Sequence, residues 1–155
     1  MASPMAVSEL LHRFNQGALL YYPRLTPVLR YVEAHISKPI SLDEAAKVAG
    51  LESKYFSAFF RSKVGTSFTE WIRLLRVKRA AELFQVRDES ITRVAFAAGF
   101  RDVRTFERVF KRCTGVTPKA YRATIRPESR WMSRLPGGKP PSARVVPRGS
   151  RRRLP

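Results

Sequence analysis

Between residues 41 and 65 the apolar positions fall at helical spacing in two successive runs, with a glycine between them. Ser41-Leu42-Asp43-Glu44 has the form of a capping box, in which Ser41 accepts from the Glu44 amide and the Glu44 carboxylate reaches back. Leu42, Ala45, Ala46 and Ala49 then line one face of a short helix. Gly50 follows, where a left-handed cap costs least. After a short turn, Tyr55, Phe56, Phe59 and Phe60 mark a second stripe, and Gly65 ends it. A helix of small residues, a glycine turn and a second helix that can pack close against the first make the helix-turn-helix pattern.

The pattern occurs twice. Displaced by 49 residues, Ser41 falls on Ser90, Leu42 on Ile91, Ala46 on Ala95, Ala49 on Ala98 and Gly50 on Gly99. One inserted residue makes the offset 50 thereafter, so that Phe56 falls on Phe106, Phe60 on Phe110, Gly65 on Gly115 and Trp71 on Tyr121. A repeat of this kind is a duplicated supersecondary unit, and two copies are too few for a solenoid. In the second copy Ile91, Val94, Ala95 and Ala98 line the first helix, and Asp102 is the expected N-cap of the next. Phe106, Val109 and Phe110 form its buried stripe. Thr117-Pro118 opens a further helix with a cap and a proline in its first turn.

Between the copies, Ser67-Phe68-Thr69-Glu70 is a second capping box, opening a helix through Trp71, Ile72, Leu75, Ala80, Leu83 and Phe84. A continuous linker of about 18 residues spans about 27 Å. That approaches the roughly 34 Å between successive major-groove faces of DNA. Ahead of the first copy, Thr26-Pro27 is expected to cap a helix through Val28, Tyr31, Val32 and Ile36, and Val7, Leu10, Leu11 and Phe14 are spaced for another. The expected fold is all-α, with two helix-turn-helix subdomains joined by a long linker helix. Its divisions are an N-terminal extension (1–25), the first subdomain (26–66), the linker (67–86), the second subdomain (87–126) and a proline- and glycine-rich basic tail (127–155) expected to be disordered.

Charge narrows the function. The formal net charge is +18, of which +10 lies in residues 26–126 and +7 in the tail. Residues 146–150 read as an appended protease-cleavage linker, which takes weight off the tail. A folded part that is basic in its own right points to a polyanionic partner, nucleic acid before an anionic membrane. With one cysteine and two histidines far from it, no zinc spacing exists. No stretch is long and apolar enough for a membrane span, and the first 20 residues lack a secretory pattern, so a cytoplasmic protein is expected. No paired carboxylate, Ser-His-Asp set or phosphate-cradling glycine motif is present, so neither catalysis nor a cofactor or metal is expected. The aromatic stripes are read as core rather than as base-stacking platforms.

The run Ile91-Thr-Arg-Val-Ala-Phe-Ala-Ala-Gly-Phe100, followed by Asp102, Phe106, Arg108, Phe110-Lys111, Gly115, Thr117-Pro118 and Tyr121-Arg122, closely resembles the C-terminal signature of AraC/XylS-type transcription regulators. Ser41 to Gly65 and Arg76 to Leu83 fit the rest of that DNA-binding domain, so the resemblance covers roughly residues 26–126. It implies an all-helical domain of about seven helices, with two recognition helices in adjacent major grooves on one DNA face and contact with RNA polymerase as a second activity. The chain departs from the family in three places. Arg104 stands where the family usually has serine, Thr105 where it usually has a ring or similar residue, and Ala58 where it usually has a basic residue. The first reader thus has fewer polar base contacts to offer and the second more. Many members also carry an effector-binding domain; with 25 residues ahead of the repeat zone, none is expected within this sequence.

Opposite the first stripe lie Lys54, Ser57, Ala58 and Arg61; opposite the second lie Val103, Arg104, Glu107, Arg108 and Lys111. Arg104 and Arg108 suit bidentate contact to guanine O6 and N7, and Val103 and Ala58 suit thymine methyls. Glu107 can accept from a cytosine amine or orient either arginine. Lys54 and Ser57 complete the base-reading set. The expected phosphate contacts are Ser53, Arg61, Arg73, Arg76 and Lys111, with Ser67 and Thr117 acting through helix-terminal amides. The expected partner is double-stranded DNA bound by a monomer, since one chain holds both readers. The rival reading, a sequence-independent nucleic-acid binder, is served by charge alone and does not account for the duplication.

Overall fold

The structure is a computed structural model and describes residue 9 and residues 11–126. The tail, and with it the expected disorder, lies outside the described residues, as do Val7 and Leu10. Among those described there are eight helices and no strand: α1 (Gln16–Tyr21), α2 (Thr26–His35), α3 (Leu42–Ala49), α4 (Ser53–Val64), α5 (Phe68–Val86), α6 (Ile91–Ala97), α7 (Val103–Thr114) and α8 (Pro118–Ile125). One helix beyond the expected seven is α1. It packs on α2 and α4, with Phe14, Ala18 and Leu19 buried beneath it, so residues just ahead of 26 share the core of the first helix-turn-helix.

Local signals account for most boundaries. The Ser41 capping box forms complete, with the Glu44 carboxylate on the Ser41 amide at 2.9 Å and the Ser41 hydroxyl on the Glu44 amide at 3.1 Å. Two expected caps differ. Ser67 accepts from the Glu70 amide, but the Glu70 carboxylate does not turn back. It receives Arg112 of α7 at 2.8 and 3.0 Å and Arg73 at 3.3 Å, because a charged partner outcompetes a backbone amide for a carboxylate. Thr26 is the first residue of α2 rather than its cap; Leu25 holds the cap position. The Thr26 hydroxyl instead donates backward to the Leu19 carbonyl at 3.1 Å, fastening α2 to the end of α1.

The aromatic stripes are core. Phe56, Phe60, Phe106 and Phe110 are fully buried. In the first unit Phe60 meets Phe68 at 5.4 Å and Trp71 at 5.3 Å between ring centroids; in the second, Phe110 meets Phe84 at 6.1 Å and Tyr121 at 5.3 Å. Thus α5 supplies Phe68 and Trp71 to one core and Phe84 to the other. Its start is the counterpart of α8, since the offset of 50 places Ser67 on Thr117 and Trp71 on Tyr121. Its second half is the counterpart of α2, since an offset of 49 places the buried Val28 and Val32 on the buried Val77 and Ala81. The linker is therefore the closing helix of one unit continued as the opening helix of the next.

The two units also meet directly. Gly99, in the turn of the second unit, has φ +96°, and a Cβ there would lie 2.2 Å from the Ile36 carbonyl oxygen at the end of α2. Around this contact Ser37 donates to the Ala97 carbonyl at 2.9 Å and Arg79 donates to the same oxygen at 3.2 Å. Arg76 donates to the carbonyls of Ile36 at 3.2 Å and Lys38 at 2.8 Å. Burial, and then the nearby charge of Arg101, push the Arg76 pKa down from its ordinary value. Its guanidinium clasps the linker to the first unit through these two carbonyls.

Two predictions follow from this junction. Gly50 also has positive φ (67°), but a Cβ there meets only the tip of Arg24 at 3.7 Å. Gly50→Ala should therefore cost about 1–2 kcal/mol, the penalty of a left-handed L-residue. Gly99→Ala should cost about 3 kcal/mol or more, because a backbone carbonyl must also move. Urea unfolding midpoints of both variants test the difference. By the same measurement Arg76→Ala should lose about 1–3 kcal/mol, leaving two carbonyls unpaired. Arg73→Ala, an exposed ion-pair change, should stay within about 0.5 kcal/mol.

Candidate nucleic-acid interface

Each reader helix has twelve residues and begins on an acidic cap. Asp102 accepts from the Thr105 amide at 2.7 Å, and this bond, more than any charge, holds its carboxyl below the usual value. Glu52 caps α4, accepting from the amides of Lys54 at 3.3 Å and Tyr55 at 3.4 Å. A carboxylate near a helix N-terminus is favourable for the helix dipole. Sequence reading singled out Asp102 but not Glu52, although the repeat places one on the other at an offset of 50. At the opposite ends, Gly65 and Gly115 terminate the two helices through amides that donate to Arg61 and Lys111 carbonyls at 2.9 and 2.8 Å.

The faces opposite the buried rings are open. Lys54, Ala58 and Arg61 of α4 are exposed, and Ser57 is half-buried. Arg104, Glu107, Arg108 and Lys111 of α7 are exposed, while Val103 is partly packed against the core. Among the described residues the side chains of Lys54, Arg61, Arg104, Arg108 and Lys111 enter no hydrogen bond or ion pair. Glu107 likewise holds neither Arg104 nor Arg108 in the protein alone. Five cations free of hydrogen bonds and ion pairs thus stand on α4 and α7, with Arg108 near enough to Asp102 to help lower its carboxyl.

Other arginines are engaged within the fold. Arg24 donates to the Gly50 carbonyl at 3.1 Å, Arg122 pairs with Asp88 at 2.6 Å, and Arg126 donates to the Phe84 and Gln85 carbonyls at 3.2 Å each. Of the expected phosphate contacts, Arg76 belongs to this engaged group, and Arg73 is exposed but paired with Glu70. The Ser53 hydroxyl donates to the Asp43 carboxylate. Ser67 and Thr117 sit at the starts of α5 and α8, accepting from the amides of Glu70 and Ala120 at 3.2 Å each. Arg101 was not anticipated: it is exposed, directly precedes the Asp102 cap and lies near Arg76. Leu51 falls on Phe100 and Glu52 on Asp102, so Arg101 is the inserted residue and the duplication gave no signal for it.

No helix of the described residues is long and apolar enough to cross a membrane, and no group of three or more His, Cys, Asp or Glu among them could hold a metal ion. Comparison with known proteins agrees with the geometry. A helix-turn-helix domain family model matches residues 45–124. The regulatory protein PocR of Salmonella typhimurium is 32% identical over 76% of this chain and 39% of its own length. The chain therefore spans about two fifths of that relative. The DNA-binding domain of AdpA, described as a global transcriptional factor and solved in complex with a target DNA, superposes with a TM-score of 0.65 at 28% identity, covering 70% of this chain and 98% of that one. An AraC-type DNA-binding-domain regulator from Chromobacterium violaceum gives a TM-score of 0.64 at 29% identity, covering 72% and 96%. With two helix-turn-helix units in tandem, a shared linker helix and this match over half its length, the chain belongs to the AraC/XylS family of helix-turn-helix transcription regulators.

Proposed function

We propose that this chain binds double-stranded DNA in a sequence-specific manner, laying α4 and α7 into adjacent major grooves on one face of the duplex, and regulates transcription from that position. The observation that carries this reading is the exposed cations, free of hydrogen bonds and ion pairs, on two helices whose opposite faces are sealed into the core. The likeness to the AdpA domain, solved with its target DNA, supports it.

In this reading Arg104 and Arg108 grip guanine edges, Glu107 takes a cytosine amine or steadies one of them, and Val103 and Ala58 meet thymine methyls. Lys54 and Ser57 complete base contact on the first reader. Arg61, Lys111 and Arg73, with the helix starts at Ser67 and Thr117, hold phosphates. Ser53 and Arg76 act on DNA only through the elements they fasten. One chain supplies both readers, so a monomer is the DNA-bound unit. Contact with RNA polymerase is a second activity of the same domain, and the role places the protein in the cytoplasm, on the nucleoid.

Selection of bound duplexes from a random pool tests the reading. A recovered site with two short conserved blocks about one helical turn apart is expected; recovery of no preferred sequence would leave a sequence-independent binder. On that site Arg104→Ala or Arg108→Ala should cost about 1–3 kcal/mol and relax preference at one position, whereas Arg61→Ala should weaken all duplexes alike and flatten the salt dependence. Titrations by fluorescence anisotropy at several salt concentrations separate the two outcomes. A linker of about 28 Å, from 19 residues, falls short of the roughly 34 Å groove repeat. The DNA should therefore bend toward the protein, a shift that circularly permuted fragments report in a gel.

A further inference from the structure

A cleft of about 440 Å³ opens beside the junction of the two units. Its charged lining is Arg73, Arg76 and Arg101, with Thr69 beside them, and no carboxylate is among its walls; Leu42 and Phe68 form part of an apolar floor. The chain fixes where this cleft lies. Leu42 on one wall adjoins Asp43, which receives the hydroxyl of Ser53, the first residue of α4. On the other wall Arg101 adjoins Asp102, the cap of α7. The cleft therefore sits between the beginnings of the two reader helices.

The three arginines are unequally engaged. Arg76 is held by two backbone carbonyls. Arg73 shares Glu70 with Arg112, which holds the shorter contacts to that carboxylate. Arg101 is exposed and makes no hydrogen bond or ion pair among the described residues. The Arg101 charge bears on Arg76 closely enough to lower its affinity for a proton. Only Arg73 has a carboxylate, the shared Glu70, so the like charges of Arg76 and Arg101 repel one another until an anion enters between them. On the DNA placement proposed above, a strand would cross this gap.

We infer that the cleft is a third DNA contact, a seat for one phosphodiester of the strand running between the two major-groove sites. Arg101 and Arg73 grip the phosphate, and Arg76 is a positioning residue that holds the wall in place. This rests on the DNA-reading function proposed above and adds to it a device for phase. A phosphate carries no base identity. Gripped at the junction, however, it fixes where both readers land relative to the same backbone.

The test uses the whole chain and the duplex recovered by selection, in a series in which one phosphate at a time between the two blocks is replaced by an uncharged methylphosphonate. At one position, or two adjacent ones, neutralisation should weaken wild-type binding about 10-fold, the loss of a charge-assisted contact. At that position Arg101→Ala should narrow the gap between the native and neutral backbones, Arg73 holding the remainder, and Arg101→Lys should narrow it less. The salt slope of Arg101→Ala should be shallower by about one. If no spacer phosphate matters to the wild type, or if the losses from Arg101→Ala and from the neutral linkage simply multiply, the seat does not exist. If selection yields no preferred duplex at all, the DNA-reading function fails instead. Thermal unfolding of Arg101→Ala is expected to match wild type, and a large drop would make the residue structural and overturn the assignment.

Discussion

The carbonyl of Ile36 occupies the space that a side chain at residue 99 would need, and the relation between the two units passes through that contact. A turn that admits only glycine lets the second unit approach the end of α2 at backbone distance. Ser37, Arg76 and Arg79 then close hydrogen bonds around it. Two reading helices in one chain gain from each other only when their separation and rotation are fixed. A flexible tether would give each reader its own search, and the second contact would gain only the effective concentration the tether allows. Here the second unit is not tethered but wedged.

The basic residues serve two purposes, and geometry separates them. Arg76, Arg79 and Arg126 donate to carbonyls and Arg122 meets Asp88, which makes them parts of the fold. The lysines and arginines on the open faces of α4 and α7 have no such partner within the described residues, so their charge projects outward. In the function proposed above, a polyanion meets that field first at long range, where it speeds encounter, and then at contact, where planar guanidinium forks distinguish base edges. The acidic caps Glu52 and Asp102 temper the same field at the start of each reader.

Much of this was legible in the sequence because its physics is local. Capping residues, glycines after the first helices and aromatic stripes at helical spacing each act within a few residues, and the duplication doubled the signal. Misses arose where a distant group intervened. Glu70 left the capping box for Arg112, 42 residues away, and Thr26 turned its hydroxyl to the end of α1. Arg76 looked like one more surface cation until tertiary packing placed it against Ile36 and Lys38. Helix α1 was obscured because its six residues bury only Ala18 and Leu19, too few to mark a stripe. Arg101 depends for its surroundings wholly on how the two units meet.

The sharing of α5 bears on how the molecule fails. Phe68 and Trp71 wall one core and Phe84 the other along a single unbroken rod. A break between Trp71 and Phe84 would leave each half its own aromatic wall but would end the single rod that joins the two. Damage to either hydrophobic centre therefore frees one end of the common strut, and the fixed bearing of one head on the other is lost with it.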